Sequence, residues 1–304
     1  MGSCAQGAQA ALYVEPGASP HTFDTSSERY EFLYESLQKR GRIVGGTGIR
    51  GTRSPHSART RAGHYTVGGR VAMNVDPAGL DAWLPRILGA AESSDSFALA
   101  ESLPSFGVLV DRVTETFEYT DCVVNQAMFH GKAGPEDGEP ELIEMVLDLI
   151  GKTEVANTSA PSVSLSTAAN ATPYVFSDSA LTLQSGSREV KEWWLLISNH
   201  IQPRWVNSLS ATQLCPRDRT VILRTRLPYD TDTDDLYGQA LAGATGSLAL
   251  TNGNLGTTFT FGTLQVPDES PIVRGKTEID LFLTLTARMT GTTRELVVTN
   301  DSVA

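Results

Sequence analysis

Gly46-Thr47-Gly48-Ile49-Arg50-Gly51 reproduces the GxGxxG spacing that lets a backbone approach a dinucleotide pyrophosphate. That chemistry needs a strand before the glycines, a helix opening at the last of them, and an acid about 20 residues further on. Here Thr52-Arg53-Ser54-Pro55-His56-Ser57 follows, which opens no helix, and the stretch that should hold the acid is basic. The segment therefore reads as loop. Asp230, Asp232 and Asp234 imitate the first ligands of a calcium-binding loop, but Asp235 stands where that loop needs glycine and Leu241 where it needs glutamate. Capping a helix start is the better use of these carboxylates. His21, His56, His64, His130 and His200 are scattered, with no HxxxH or HExxH and no GxSxG elbow. Cys4, Cys122 and Cys215 lie far apart and form no CxxC, which argues against a metal site or disulfide framework and fits folding in a reducing cytosol. Neither a cofactor nor a metal is expected, and nothing points to an enzyme.

Charge is more informative. Acids outnumber bases 35 to 24, for a net charge of −11. Such a chain is a poor candidate for gripping nucleic acid, since affinity for phosphate comes mainly from Lys and Arg. The basic residues are also unevenly placed. Eight of the 24 lie in residues 39–70, which contain no Asp or Glu, leaving 16 against 35 acids elsewhere. Seven glycines between Gly41 and Gly68 make this stretch read as a long, flexible, cationic loop. No apolar run approaches the ~20 residues needed to cross a bilayer, and the first residues show no leader pattern.

Asp76 to Gly89 is the clearest helix. Asp76 caps, Pro77 suits the first turn, Gly89 follows the end, and Leu80, Trp83, Leu84, Ile87 and Leu88 form one apolar stripe. Pro85 should strain it. Strand-like runs precede and follow: Val71–Val75, Phe106–Phe117, Phe117–Val124 and Glu141–Thr153. Leu142–Ile150 would also suit a helix, but the Gly/Pro-rich sequence before it favours a strand. The order then recurs. Val221–Arg226 is strand-like, Asp232–Gly243 is a short helix candidate, and Thr257–Val266 and Thr277–Met289 are strand-like. Thr258 and Thr260 alternate with Phe259 and Phe261, and Thr284 and Thr286 with Leu283 and Leu285, which marks half-buried strands. Ala180–Leu183 and Val190–Asn199 read as a hairpin about Ser185-Gly186-Ser187, with Trp193 to Ile197 mostly core. Residues 156–173 suit a linker. The expected division is an N-terminal lobe over 1–160, carrying the basic loop 39–70, and a C-terminal lobe over 161–304.

This order of motifs resembles that of siphophage major tail tube proteins. The resemblance is carried by Phe106-Gly107-Val108-Leu109-Val110-Asp111-Arg112, Phe117-Glu118-Tyr119-Thr120-Asp121-Cys122-Val123-Val124, Gly131-Lys132-Ala133-Gly134 and Leu149-Ile150-Gly151-Lys152. The strand–helix piece Val67–Gly89 and the Leu181–Asn199 stretch add to it. It implies a mainly β fold: two β-sandwich or barrel lobes, each with one short flanking α-helix, whose strands join those of neighbours in a ring-shaped β-barrel. Closure of that kind removes edge strands. Rings would stack into a hollow tube in the virion tail, assembled in the host cytoplasm and passing double-stranded DNA without binding it specifically. Implied partners are further copies of the chain, a tape-measure protein, and tail terminator and distal tail proteins; no membrane is involved. Two lobes per chain favour a trimeric, pseudo-sixfold ring over a hexamer. Thr258, Thr260, Thr284 and Thr286 are the candidates to line the lumen. Arg40, Arg42, Arg50, Arg53, Arg59 and Arg61 are the candidates to dock on an acidic patch of the next subunit or ring. A merely solvated loop, or one touching packaged DNA, are the other uses of these arginines. Another ring of the tail or head–tail joint, or a β-sandwich binding module or adhesin, are the rival functions.

Overall fold

The computed structural model describes residues 6–134 except 47 and 50, residues 141–165, and residues 172–302 except 231–235, 237–242, 266–272, 274–275 and 277. The first half runs through β1 (Ala11–Pro16), β2 (Glu28–Tyr30), β3 (Tyr34–Glu35), β4 (Gln38–Gly45), β5 (Thr60–Asn74), α1 (Pro77–Leu88), β6 (Ser96–Ala98), β7 (Phe106–Asp111), β8 (Thr116–Lys132), β9 (Glu144–Gly151) and β10 (Thr153–Ala156). The second runs through β11 (Ser179–Leu183), β12 (Gly186–Arg188), β13 (Glu192–Ser198), β14 (Gln202–Arg204), β15 (Gln213–Cys215), β16 (Thr220–Pro228), β17 (Ala244–Asn252), β18 (Leu255–Gln265), β19 (Asp280–Arg288) and β20 (Leu296–Asp301). The chain is mainly β and its ladders are antiparallel; α1 is the one α-helix among the described residues.

The pairing order of the first half recurs in the second. In one layer β2 pairs β1, β1 pairs β7, β7 pairs the start of β8, and β8 pairs β10. The matching layer is β12, β11, β17, the start of β18, then β20. In the other layer, here called the wall, β4 pairs β5, β5 pairs β9, and β9 pairs the end of β8. Its match is β13, β16, β19 and the end of β18. One ladder joins the two walls into a continuous sheet, with β13 on the end of β8 from Glu192↔Lys132 to Ser198↔Gln126. The strand–helix–strand echo in the sequence is thus an echo of topology.

Alternation along these strands creates the layers. β9 reads half-buried, buried throughout, with Met145, Leu147 and Leu149 turned inward. β13 likewise buries Trp193, Leu195 and Ile197, while Trp194 and Leu196 lie half-buried on the opposite face. Phe129 of the wall meets Phe259 of the other layer, ring centroids 5.3 Å apart, so the two layers share one core that spans both halves.

α1 forms where its local signals place it. The Asp76 side chain accepts from Gly79 N–H at 2.7 Å, Pro77 opens the helix and Gly89 closes it at φ 99°. Pro85 is accommodated inside, and its carbonyl accepts the Gly89 N–H at 2.8 Å. Trp83 packs on Tyr30 and Phe106. The second half secures both helix ends. Asn300 Nδ2 donates to Pro77 O at 2.8 Å, and Asn199 Nδ2 donates to Ile87 O at 3.1 Å and Val124 O at 3.0 Å.

Three expectations are corrected. The stretch 39–70 is largely a β-hairpin, not a loop: β4 and β5 pair from Gln38↔Gly68 to Gly45↔Thr60. The expected strand Phe106–Phe117 is broken at residues 112–115, where Val113 takes φ 70° with its N–H bonded to Asp111 Oδ1 at 2.8 Å. Finally, β11 turns onto β12 through Gln184 and Ser185, both at positive φ, while β13 leaves for β8 and β16. The strand chosen for Leu142–Ile150 is β9. The helix candidate Asp232–Gly243 lies almost wholly outside the described residues.

Candidate assembly surface

Two surfaces carry the residues singled out in the sequence. The first is the β4–β5 hairpin. Every residue of β4 is exposed, including Arg40 and Arg42, and so are Arg53, Arg59 and Arg61; Arg50 lies outside the described residues. None of these five makes an ion pair with a described residue. Apolar side chains are exposed beside them: Ile43 at 82%, Val44 at 59% and Ile49 at 105%. A cationic, partly apolar arm of this kind is unusual on a free surface and usual at an interface. Its base is buttressed. Tyr65 N–H donates to Leu209 O at 3.0 Å, Trp205 Nε1–H donates to Tyr65 O at 3.3 Å, and His64 Nδ1 lies 2.9 Å from Ser208 O. Lys39 Nζ sits 4.4 Å from the centre of the Tyr65 ring.

The second surface is the wall face turned away from the core. Cross-strand partners point to the same side of a sheet, so its composition reads off the register. One row runs Tyr34, Ala72, Val146, Met128, Leu196, Ile222, Thr286 across seven strands. The next runs Asn74, Glu144, His130, Trp194, Arg224, Thr284. His130 stacks on Trp194 with centroids 5.0 Å apart and planes at 5°, and its Nε2 lies 3.1 Å from Glu192 Oε1. A third row holds Arg70, Asp148, Gln126, Ser198 and Thr220. At one end Arg226 bonds Asp280 Oδ2 at 2.6 and 2.9 Å. Asp280 is held below the usual carboxylate range by Lys191 and Arg226, against the effect of burial. Charges of both signs thus alternate with small polar and apolar groups.

The four threonines do not share a surface. Thr284 and Thr286 lie on the wall face beside Arg224 and Ile222. Thr258 and Thr260 lie opposite Thr299 and Val297, on the far side of the strand whose Phe259 enters the core. The two pairs therefore sit on opposite outer faces of the two-layer stack. Sequence reading missed most of the wall face, above all His130, Glu144, Asp148 and Arg224. Burial alternates strictly along Glu144–Gly151, but Val146 and Ile150 are apolar too, so the sequence carried only part of that signal. Among the described residues no cluster of ligating side chains forms a metal site. Cys122 is buried and its thiol pKa is pushed well above the ordinary value by that burial, so it is no nucleophile.

An exposed arm and a duplicated two-layer β stack describe a building block. A model of phage tail tube proteins matches residues 8–300, nearly the whole chain. The chain belongs to the phage tail tube protein family. A search of curated proteins finds no match. The family is one of structural virion proteins, not enzymes, which places this tail tube protein in the phage tail. Among the described residues no helix is long and apolar enough to cross a membrane.

Proposed function

We propose that the chain polymerises into stacked rings that form the hollow tail tube of a long-tailed, non-contractile phage, through which DNA leaves the capsid. The observation that carries this reading is the recurrence of one pairing order within a chain of the tail tube family. Residues 1–160 and 161–304 act as two lobes of one wall unit, and three chains give a pseudo-sixfold ring; six chains are the alternative. The wall face lines the lumen, with Thr284 and Thr286 on it and Thr258 and Thr260 outside it. Its charges are of both signs, with Arg226 paired to Asp280, so it offers DNA phosphates little net attraction. Arg40, Arg42, Arg53, Arg59 and Arg61, with Arg50 nearby in sequence, dock on acidic surface of an adjacent subunit or ring, drawn by the acidic balance of the rest of the chain. Tape-measure, terminator and distal tail proteins are the further partners, and assembly takes place in the host cytoplasm. Mass per ring from scanning transmission electron microscopy tests the stoichiometry: three copies of the 32.6 kDa chain are expected, and six would contradict the two-lobe count.

A further inference from the structure

The repeated pairing order gives each wall strand a counterpart, and one pair of counterparts is unequal. β13 has a neighbour on each edge, β16 and β8. Its counterpart is the run Tyr34–Arg40 through β3 and the start of β4, whose ladder partner among the described residues is β5 alone. The alignment of the two is close. Tyr34 stands opposite Ala72 and Arg40 opposite Thr66, as Glu192 stands opposite Arg226 and Ser198 opposite Thr220. Both runs begin with the same irregular bond, Leu33 N–H to Ala72 O at 2.7 Å and Lys191 N–H to Arg226 O at 2.9 Å. Leu37 therefore corresponds to Leu195, and Lys39 to Ile197.

Backbone groups alternate in direction along a strand. Ala133 N–H bonds Lys191 O at 3.0 Å, so residues in phase with Lys191, namely Trp193, Leu195 and Ile197, face β8. Ser36 N–H bonds Arg70 O at 2.8 Å, so residues in phase with Ser36 face β5, and Leu37 and Lys39 face the open edge.

That edge is occupied by side chains. Leu37 N–H donates to Glu35 Oε2 at 2.8 Å. Leu37 O accepts from Arg112 Nη2 at 2.6 Å and from the Tyr119 hydroxyl at 2.8 Å. Lys39 N–H donates to Glu154 Oε2 at 3.0 Å. Arg112 and Glu35 hold one another through two bonds of 2.8 and 3.0 Å. Four side chains thus fill three of the four backbone positions, Leu37 N–H, Leu37 O and Lys39 N–H, that a whole strand fills at Leu195 and Ile197. Open edges invite uncontrolled pairing, and charged side chains are one way of blunting them.

We propose that Glu35, Arg112, Tyr119 and Glu154 form a self-cap on this edge, and that a second copy of the chain displaces them and pairs there as β8 pairs with β13. The inference rests on the ring reading above, and adds which edge joins the copies and what keeps it closed in the free chain.

Hydrogen exchange by mass spectrometry on the wild-type chain, free and assembled, tests the pairing over residues 36–42. The Lys39 amide, capped at the surface in the free chain, should become strongly protected in tubes. Light scattering tests the cap: Glu154→Ala should shorten the assembly lag about two- to tenfold, the effect of losing one hydrogen bond, while lowering the melting temperature by no more than a few degrees. Tubes whose 36–42 amides exchange as in the free chain would overturn the pairing while leaving the tube reading intact. A lag unchanged or lengthened in a normally folded Glu154→Ala chain would overturn the cap. Failure of the wild-type chain to form rings or tubes would overturn the ring reading and this inference with it.

Discussion

Asp76 serves the start of α1 at a cost. Burial raises its carboxyl to about 6, against 3.8 in the unfolded chain, although the Gly79 and Ala78 N–H groups favour the charged form. Between those two values the folded protein keeps a proton that the unfolded chain has lost, so this group's contribution to stability falls as pH rises through that window. Asp76→Asn keeps a capping acceptor and removes the titration. Wild-type melting temperature should therefore fall relative to that of Asp76→Asn between about pH 4 and pH 7, and parallel curves would refute the assignment. Asn199 poses a different test. Its amide serves two buried carbonyls, so Asn199→Ala should destabilise by about 1–3 kcal/mol in urea unfolding. A change within experimental error would mean that other donors replace it. Asp76 and Gly89 were legible in the sequence because capping is local. Asn199 was not, because the carbonyls that it serves lie 112 and 75 residues away.

Strands with one dry face were legible as apolar stretches, as in Glu144–Gly151, where the buried Met145, Leu147 and Leu149 fall at every second position. The β4–β5 hairpin was not. Toward its tip glycine, arginine and small polar groups dominate, Ile43 and Val44 are exposed, and it is held by a backbone ladder and by Trp205 and Leu209, none of which leaves a hydrophobic period. Nor did β13 disclose that its neighbour is β8. Gly131 is the trace of that junction. A Cβ there would lie 2.6 Å from the Trp193 ring that covers it, so Gly131→Ala should cost about 1–3 kcal/mol in chemical denaturation. No loss would mean that Trp193 moves aside freely. For the hairpin the expected effect is on assembly. Replacing Arg42, Arg59 and Arg61 together by Ala should leave the melting temperature unchanged, since all three are exposed and β4–β5 pairing is through the backbone. Sedimentation should then show long assemblies lost or greatly shortened; tubes of wild-type length would refute docking.

At the scale of the molecule, the echo first seen as a pattern of strands and helices is a repeated order of hydrogen-bonded neighbours. Residue identity between the halves has faded, while the register between a strand and its partners is tied to which face enters the core and is much harder to shift. What sequence could not give was the junction of the halves, since β8 and β13 pair across more than 60 residues on average and no local signal marks such a contact. The junction matters because it joins two like walls edge to edge within one chain, the operation that the proposed ring would repeat between chains. The most direct test is negative-stain electron microscopy of the purified protein at moderate salt. Long hollow tubes built of stacked rings are the predicted result, and a field of isolated monomers across protein concentrations and salt conditions would contradict the account.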